Sequence, residues 1–245
     1  MKKFAIAVAT ASMLAGAHAE SCASAFSGFY AGVQAGLANT TGNLTISDYY
    51  STTAETAGGT IKNVTGIKSF VAGLFGGYGM GVGSCAYVGA ELYANFDTAN
   101  GKLYDTTNAD SDARTFKITL KRKFNLGAKV RLGYTVSQQA MIFLGLGLEY
   151  AKLQLKSENV QTTTVQTGIT QTVSKNTSKI SFAPSVGMDI FVNKNLFLRG
   201  EYTYVVGLNQ KITPGFRTVT PKNTTATVKS NATQQRFTLG LGYKF

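Results

Sequence analysis

The chain is poorest in the side chains on which most catalysis depends. Its 245 residues include one histidine, His18, together with two cysteines and three prolines. Nowhere does it hold 18 consecutive apolar residues, so no segment can cross a bilayer as a helix, which takes about 20. Acidic groups are also scarce, with 12 Asp and Glu against 24 Lys and Arg.

The one histidine lies in a segment that reads as removable. Lys2 and Lys3 open it, residues 4–14 form an apolar run, and Ala17-His18-Ala19 is a small-x-small cleavage site before Glu20. This is the pattern of a secretory signal peptide over 1–19. Cys22 follows the site too late for a lipoprotein. Residues 20–245 are then expected to form a single domain, with 22 basic residues left after Lys2 and Lys3 are removed from the 24. That domain has no histidine base, and no nucleophile lies at a suggestive spacing from a Glu or Lys. Neither an enzyme nor a metal or cofactor site is expected. The basic residues are spread through an exported chain, so nucleic acid is not an expected partner.

What the chain does have is alternation. Eight segments carry apolar residues at every second position, as strands with one apolar face do. The first sets Phe29, Ala31, Val33, Ala35 and Leu37 against Tyr30, Gly32, Gln34 and Gly36. The third sets Val88, Ala90, Leu92, Ala94 and Phe96 against Tyr87, Glu91, Tyr93 and Asn95. The remaining six repeat the pattern around Leu74, Leu126, Leu146, Met188, Leu198 and Leu241. Near-neutral mean hydropathy does not discriminate here, because a membrane barrel averages lipid-facing apolar and lumen-facing polar residues. Three features turn the apolar face towards lipid. Charges of both signs sit mid-strand on the polar face, glycine is frequent beside them, and Tyr or Phe ends the apolar rows.

Connections alternate in length. Turns at 81–84, 135–139 and 193–195 are tight, whereas 39–66, 98–114, 157–176 and 207–231 are long, rich in Thr, Asn and Ser, and expected to be solvated loops. Short periplasmic turns and long outer loops give eight strands. The expected fold class is therefore all-β, a closed antiparallel eight-stranded transmembrane β-barrel in an up-and-down meander. Centring the hairpins pairs Met80 with Ala86, Leu74 with Leu92, Leu132 with Ile142, Leu126 with Leu148, and Asp189 with Arg199. A one-residue slip would destroy the match of faces. Pro184 dissents, since a closed barrel has no edge to house it, and it is expected at the outer rim or at a bulge.

Several short motifs carry a family resemblance. Residues 29–36, Phe-Tyr-Ala-Gly-Val-Gln-Ala-Gly, resemble the first strand of OmpA-like barrels, and residues 195–202, Asn-Leu-Phe-Leu-Arg-Gly-Glu-Tyr, resemble their seventh. The alternating end, Phe237, Leu239, Leu241, Tyr243 and Phe245, resembles the terminal signal read by the outer-membrane assembly machinery. The resemblance implies a Gram-negative outer-membrane protein. With the sequence ending at Phe245, no peptidoglycan-binding domain is expected, as in barrel-only surface proteins such as the Opa adhesins and alphaproteobacterial surface antigens. The implied role is envelope structure and adhesion or host contact through the loops, with a host surface receptor as partner. A narrow channel for ions or small solutes is the alternative.

Three residue groups stand out. Glu91, Lys129, Arg131, Glu149, Asp189, Arg199 and Glu201 are expected to form a lumen charge network, because an isolated ion in a narrow interior is costly. Cys22 and Cys85 both fall at the periplasmic end, where an oxidising compartment favours a disulfide and two free thiols are the alternative. Arg122 and Lys152, expected to oppose each other on the lipid face with Lys156 above them, suggest a lipopolysaccharide phosphate contact. Solvation of the rim is the plainer reading of these three.

Overall fold

The computed structural model describes residues 25–51, 54–59, 66–98, 100–107, 113–163, 166–208, 210–212, 215–216, 224–225 and 227–245. The chain forms strands β1 (Gly28–Ser51), β2 (Ala54–Gly59), β3 (Ile67–Val82), β4 (Ala86–Asp97), β5 (Asn100–Thr107), β6 (Ala113–Thr135) and β7 (Ala140–Thr163). It continues with β8 (Gln166–Phe182), β9 (Ser185–Phe191), β10 (Leu196–Val205), β11 (Gln210–Ile212), β12 (Gly215–Phe216), β13 (Thr224–Thr225) and β14 (Thr227–Lys244). Around the wall the order is β1, β3, β4, β6, β7, β9, β10 and β14, and β14 pairs back onto β1. β8 continues β9, so the wall is a closed ring of eight antiparallel staves.

Alternation becomes facing. Leu37 is 69% exposed, Leu92 65% and Leu239 62%, whereas Arg131, Glu149 and Asn125, on the other face of the same wall, are at most 1% exposed. The solvent-exposed apolar belt is what a lipid-facing wall requires, and the buried polar side chains are the inside of the cylinder.

The tight turns set a register two residues further on than centring implied. Met80 pairs with Val88 and Leu74 with Ala94, because β3 runs to Val82 opposite Ala86 before turning at Gly83, whose φ is +67°. Leu132 pairs with Leu144 and Leu126 with Tyr150. A shift of two preserves every facing, so the side-chain pattern alone cannot distinguish these registers. Asp189 pairs with Arg199 as expected.

The long connections are another correction. β7 and β8 stay paired to Thr163 opposite Gln166, and β1 pairs with β14 as far as Ser47 opposite Thr227. These stretches need no apolar face once they leave the membrane, so they lack alternation. Their many Thr and Val residues nevertheless suit extended backbone, and pairing satisfies the chain's N–H and C=O groups.

Pro184 sits between β8 and β9 within one continuous register: Phe182 pairs with Leu148 and Ser185 with Gly145. Tyr204 N donates to Pro184 O at 2.9 Å. In an antiparallel pair the reciprocal bond would come from residue 184, and proline has no N–H to give. The strand is broken there without being displaced.

Candidate functional site

The lumen is the chemically dense part of the molecule. Among the described residues its buried charges are five carboxylates, Glu91, Asp97, Glu149, Asp189 and Glu201, and five cations, Arg122, Lys129, Arg131, Arg199 and Arg236. Neutrality follows from that match. Each ion is held by others across the cylinder, which repays part of the several kcal/mol that desolvation costs per ion.

Two clusters divide the lumen. In the first, Arg199 grips Asp189 bidentately, Nε to Oδ1 at 2.8 Å and Nη2 to Oδ2 at 3.1 Å, and its Nη1 reaches Glu91 Oε2 at 2.6 Å. Arg131 Nη2 donates to Asp189 Oδ2 at 2.7 Å, and its Nη1 donates to the Tyr30 hydroxyl at 3.1 Å. Lys129 Nζ lies 3.0 Å from Glu91 Oε1 and also pairs with Glu201. In the second cluster Glu149 takes Arg122 on one oxygen, while Arg236 Nη2 at 2.9 Å and the Tyr93 hydroxyl at 3.2 Å share the other. Gln234 joins Arg122 to Asp97 by accepting from Arg122 Nη1 at 2.6 Å and donating to Asp97 Oδ2 at 2.9 Å. An amide relay runs beside it, from Gln34 to Asn95 at 2.7 Å and from Asn95 to Asn125 at 3.0 Å.

Aromatic rings complete the filling. The Arg131 guanidinium lies 3.7 Å from the centroid of Phe143, and that of Arg199 lies 4.1 Å from Phe75. Tyr30, Phe75, Tyr93 and Phe197 form a buried cluster. At the periplasmic mouth Phe26 is buried against Tyr87, Met141 and Phe143, with its ring 4.8 Å from Phe191. Lys244 Nζ bonds Ala25 O at 2.8 Å and holds this short turn in place.

The structure thus brings Glu91, Lys129, Arg131, Asp189, Arg199 and Glu201 into one cluster and Glu149 into the next. Three partners escaped the sequence reading. Asp97 and Arg236 share lumen parity with Glu91 and Thr238, so continuing those rows would have found them. Arg122 was placed on the lipid face, and this is overturned. A register shift between Arg122 and Phe124 sets Arg122 opposite Leu153 and Phe124 opposite Lys152. One extra residue in the strand reverses the facing beyond it, and Arg122, only 2% exposed, points into the lumen. The proposed triple contact of Arg122, Lys152 and Lys156 therefore does not exist as drawn. Lys152 remains exposed on the outer face, and the side chain of Lys156 lies outside the described residues.

Cys22 and the segment 1–19 expected to be a leader also lie outside the described residues. Cys85 occupies the β3–β4 turn. Gly81 N donates to Ser27 Oγ at 2.9 Å, so Ser27 lies against that hairpin. The terminal row faces outward, with Phe237, Leu239, Leu241, Tyr243 and Phe245 all exposed.

A family model for the outer membrane protein β-barrel domain matches residues 5–245. The chain belongs to this family. Its setting is accordingly the Gram-negative outer membrane, and its lipid-facing belt is the surface that this setting demands. Among solved structures it is similar to OprG of Pseudomonas aeruginosa, at 15% identity over 89% of this chain and 96% of that one, with a TM-score of 0.51. Neisserial surface protein A is 16% identical over 89% and 98%, with a TM-score of 0.41. Ail, the attachment invasion locus protein of Yersinia pestis, is 13% identical over 89% and 99%, with a TM-score of 0.36. At these identities the likeness is one of fold. No curated protein matches the sequence.

Proposed function

We propose that the chain, after loss of residues 1–19, is a non-enzymatic surface protein in which a plugged barrel serves as anchor and the outer hairpins serve as contact surface. The observation that carries this reading is the length of the strands. In β7 the apolar row ends at Tyr150, yet the strand continues to Thr163. Thirteen further residues at about 3.3 Å each extend it by roughly 40 Å along its own direction. A barrel needed only as a wall has no use for such extensions, whereas an adhesin that contacts a host receptor does. The filled lumen argues against the channel alternative, because rings and guanidinium groups stack where ions would have to pass. Envelope integrity is the second part of the role, and the terminal row from Phe237 to Phe245 is the segment offered to the assembly machinery.

Whole-cell binding tests the proposal. Trimming the β7–β8 hairpin back to Lys152 and Ser178 is expected to abolish attachment to host cells while the barrel still migrates as a folded, heat-modifiable band. Attachment that survives trimming of each long hairpin in turn would remove the contact role.

A further inference from the structure

Among the described residues, the wall loses pairing beyond Val206, at the end that carries the extensions. β10 stops at Val205, and two residues later Gly207 adopts a φ of +89°. The bend sends Leu208 inward, where it is 2% exposed and packs with Ala183, Val205 and Ala232. Leu208 N still donates to Ala232 O at 3.2 Å, so the chain keeps hold of β14. On its other side it has left β8, and the last bridge is Phe182 to Val206. β8 and β14 both continue beyond that level. Between them, below the level at which β11 pairs with β14, is a notch of about 720 Å³.

The lining of the notch is two-sided. Ile180, 70% exposed, and Phe182 and Val206 continue the lipid-facing rows into it, and Gly42, Ser181 and Ala232 make its floor. Ser181 is 3% exposed, and its hydroxyl has no hydrogen-bond partner among the described residues. A buried hydroxyl without a partner is a loss of about 1–3 kcal/mol, and here it is available to donate to a carbonyl entering from the membrane. Above the notch and one strand to the side, on β7, is a charge. Lys152 is exposed on the outer face of β7 and pairs with Ser178 of β8, one pleat repeat, about 7 Å, above Ile180. It makes no ion pair among the described residues. Tyr150 marks the interface at this level, its hydroxyl 2.7 Å from Ser178 Oγ.

We propose that the notch between β8 and β14 seats a lipid A molecule of the outer leaflet, with acyl chains against Ile180, Phe182 and Val206, a chain carbonyl accepting from Ser181, and a phosphate on Lys152. Four observations select this chemistry: apolar walls continuous with the lipid-facing belt, an orphan donor at their base, a cation above and one strand to the side, and a position at the outer end. The volume lies within the roughly 300–1,000 Å³ of a ligand site, so the notch seats part of the lipid and the rest of its chains lie along the belt. Lys152 thus keeps the phosphate role suggested by the sequence, with the notch in place of Arg122 as the second half of the site.

The test is retention of lipid by the whole mature protein in detergent, read by native mass spectrometry with lipid A, its dephosphorylated form and phosphatidylglycerol. One lipid A is expected to stay bound where phosphatidylglycerol does not. K152Q and removal of the phosphates should each weaken retention about fivefold, the effect of one lysine near a membrane surface, and K152R should restore it. G42L fills the floor from β1, where an added Cβ would meet no atom closer than 3.4 Å, and is expected to abolish retention. Should G42L not fold, lipid A carrying a photoreactive acyl chain on the unaltered protein gives the same answer, with cross-links expected at 180–182 and 206–208. Equal retention of phosphatidylglycerol, indifference to K152Q, or cross-links spread evenly around the belt would overturn the proposal.

Discussion

Arg199 donates to two carboxylates and its guanidinium lies 4.1 Å from the centroid of Phe75, with the whole side chain buried in the lumen. Removing it strands Asp189 and Glu91 with one less cation in a medium of low dielectric. Arg199→Met is therefore expected to destabilise the barrel by about 3–5 kcal/mol, the range for breaking one partner of a buried pair. Denaturant unfolding in lipid vesicles measures this as a lower midpoint. Raising the salt concentration should leave the difference unchanged, since buried pairs are screened far less than exposed ones. A gain in salt sensitivity would mean that the cluster is wet. Glycine on the lumen face has its own limit: a Cβ at Gly127 would lie 2.2 Å from Tyr93 Cζ. Gly127→Val is expected to push Tyr93 off Glu149 and cost about 1–3 kcal/mol through overpacking, read in the same unfolding experiment.

Between residue and molecule stand the interrupted strand and the tethered end. Pro184 withholds one hydrogen bond from Tyr204 in the wall shared by β9 and β10. Pro184→Val is expected to restore it and stabilise the barrel by about 0.5–1.5 kcal/mol, with protection of the new amide at residue 184 from exchange as the site-specific readout. At the periplasmic mouth Phe26 is already lodged in the lumen and Ser27 is bonded to the hairpin that bears Cys85. A Cys22–Cys85 disulfide would close this short segment onto the barrel base. Thiol labelling and non-reducing electrophoresis of protein isolated from cells are expected to find both sulfurs blocked, and two reactive thiols would end that idea.

At the scale of the whole molecule, β14 pairs back onto β1 and closes the wall, and the exposed belt dictates the solvent. The mature chain is expected to refold only in detergent or lipid, and to remain folded in plain buffer as a monomer would contradict the fold's inside-out facing. Planar bilayers containing the refolded protein should show no stable conductance. A steady single-channel current lost on altering Arg199 or Glu201 would revive the channel reading.

Alternation along the chain was sufficient to tell which residues face lipid and which face the lumen, because side-chain direction in a strand has a period of two whatever the partner. It therefore placed Glu91, Arg131, Asp189 and Arg199 inside together, and it carried the strand count. What it could not decide was anything that depends on an odd or even slip. The two-residue register shifts left every facing intact and were invisible, whereas the single extra residue beside Arg122 reversed a facing and moved that charge from the lipid side to Glu149. The outer hairpins were hidden for a related reason: where both faces meet water, strand pairing leaves no apolar signature. Only the folded wall, with Leu208 turned inward and β8 left unpaired beside it, opened the notch, since a gap between strands distant in sequence is a property of their spacing and of no residue in either.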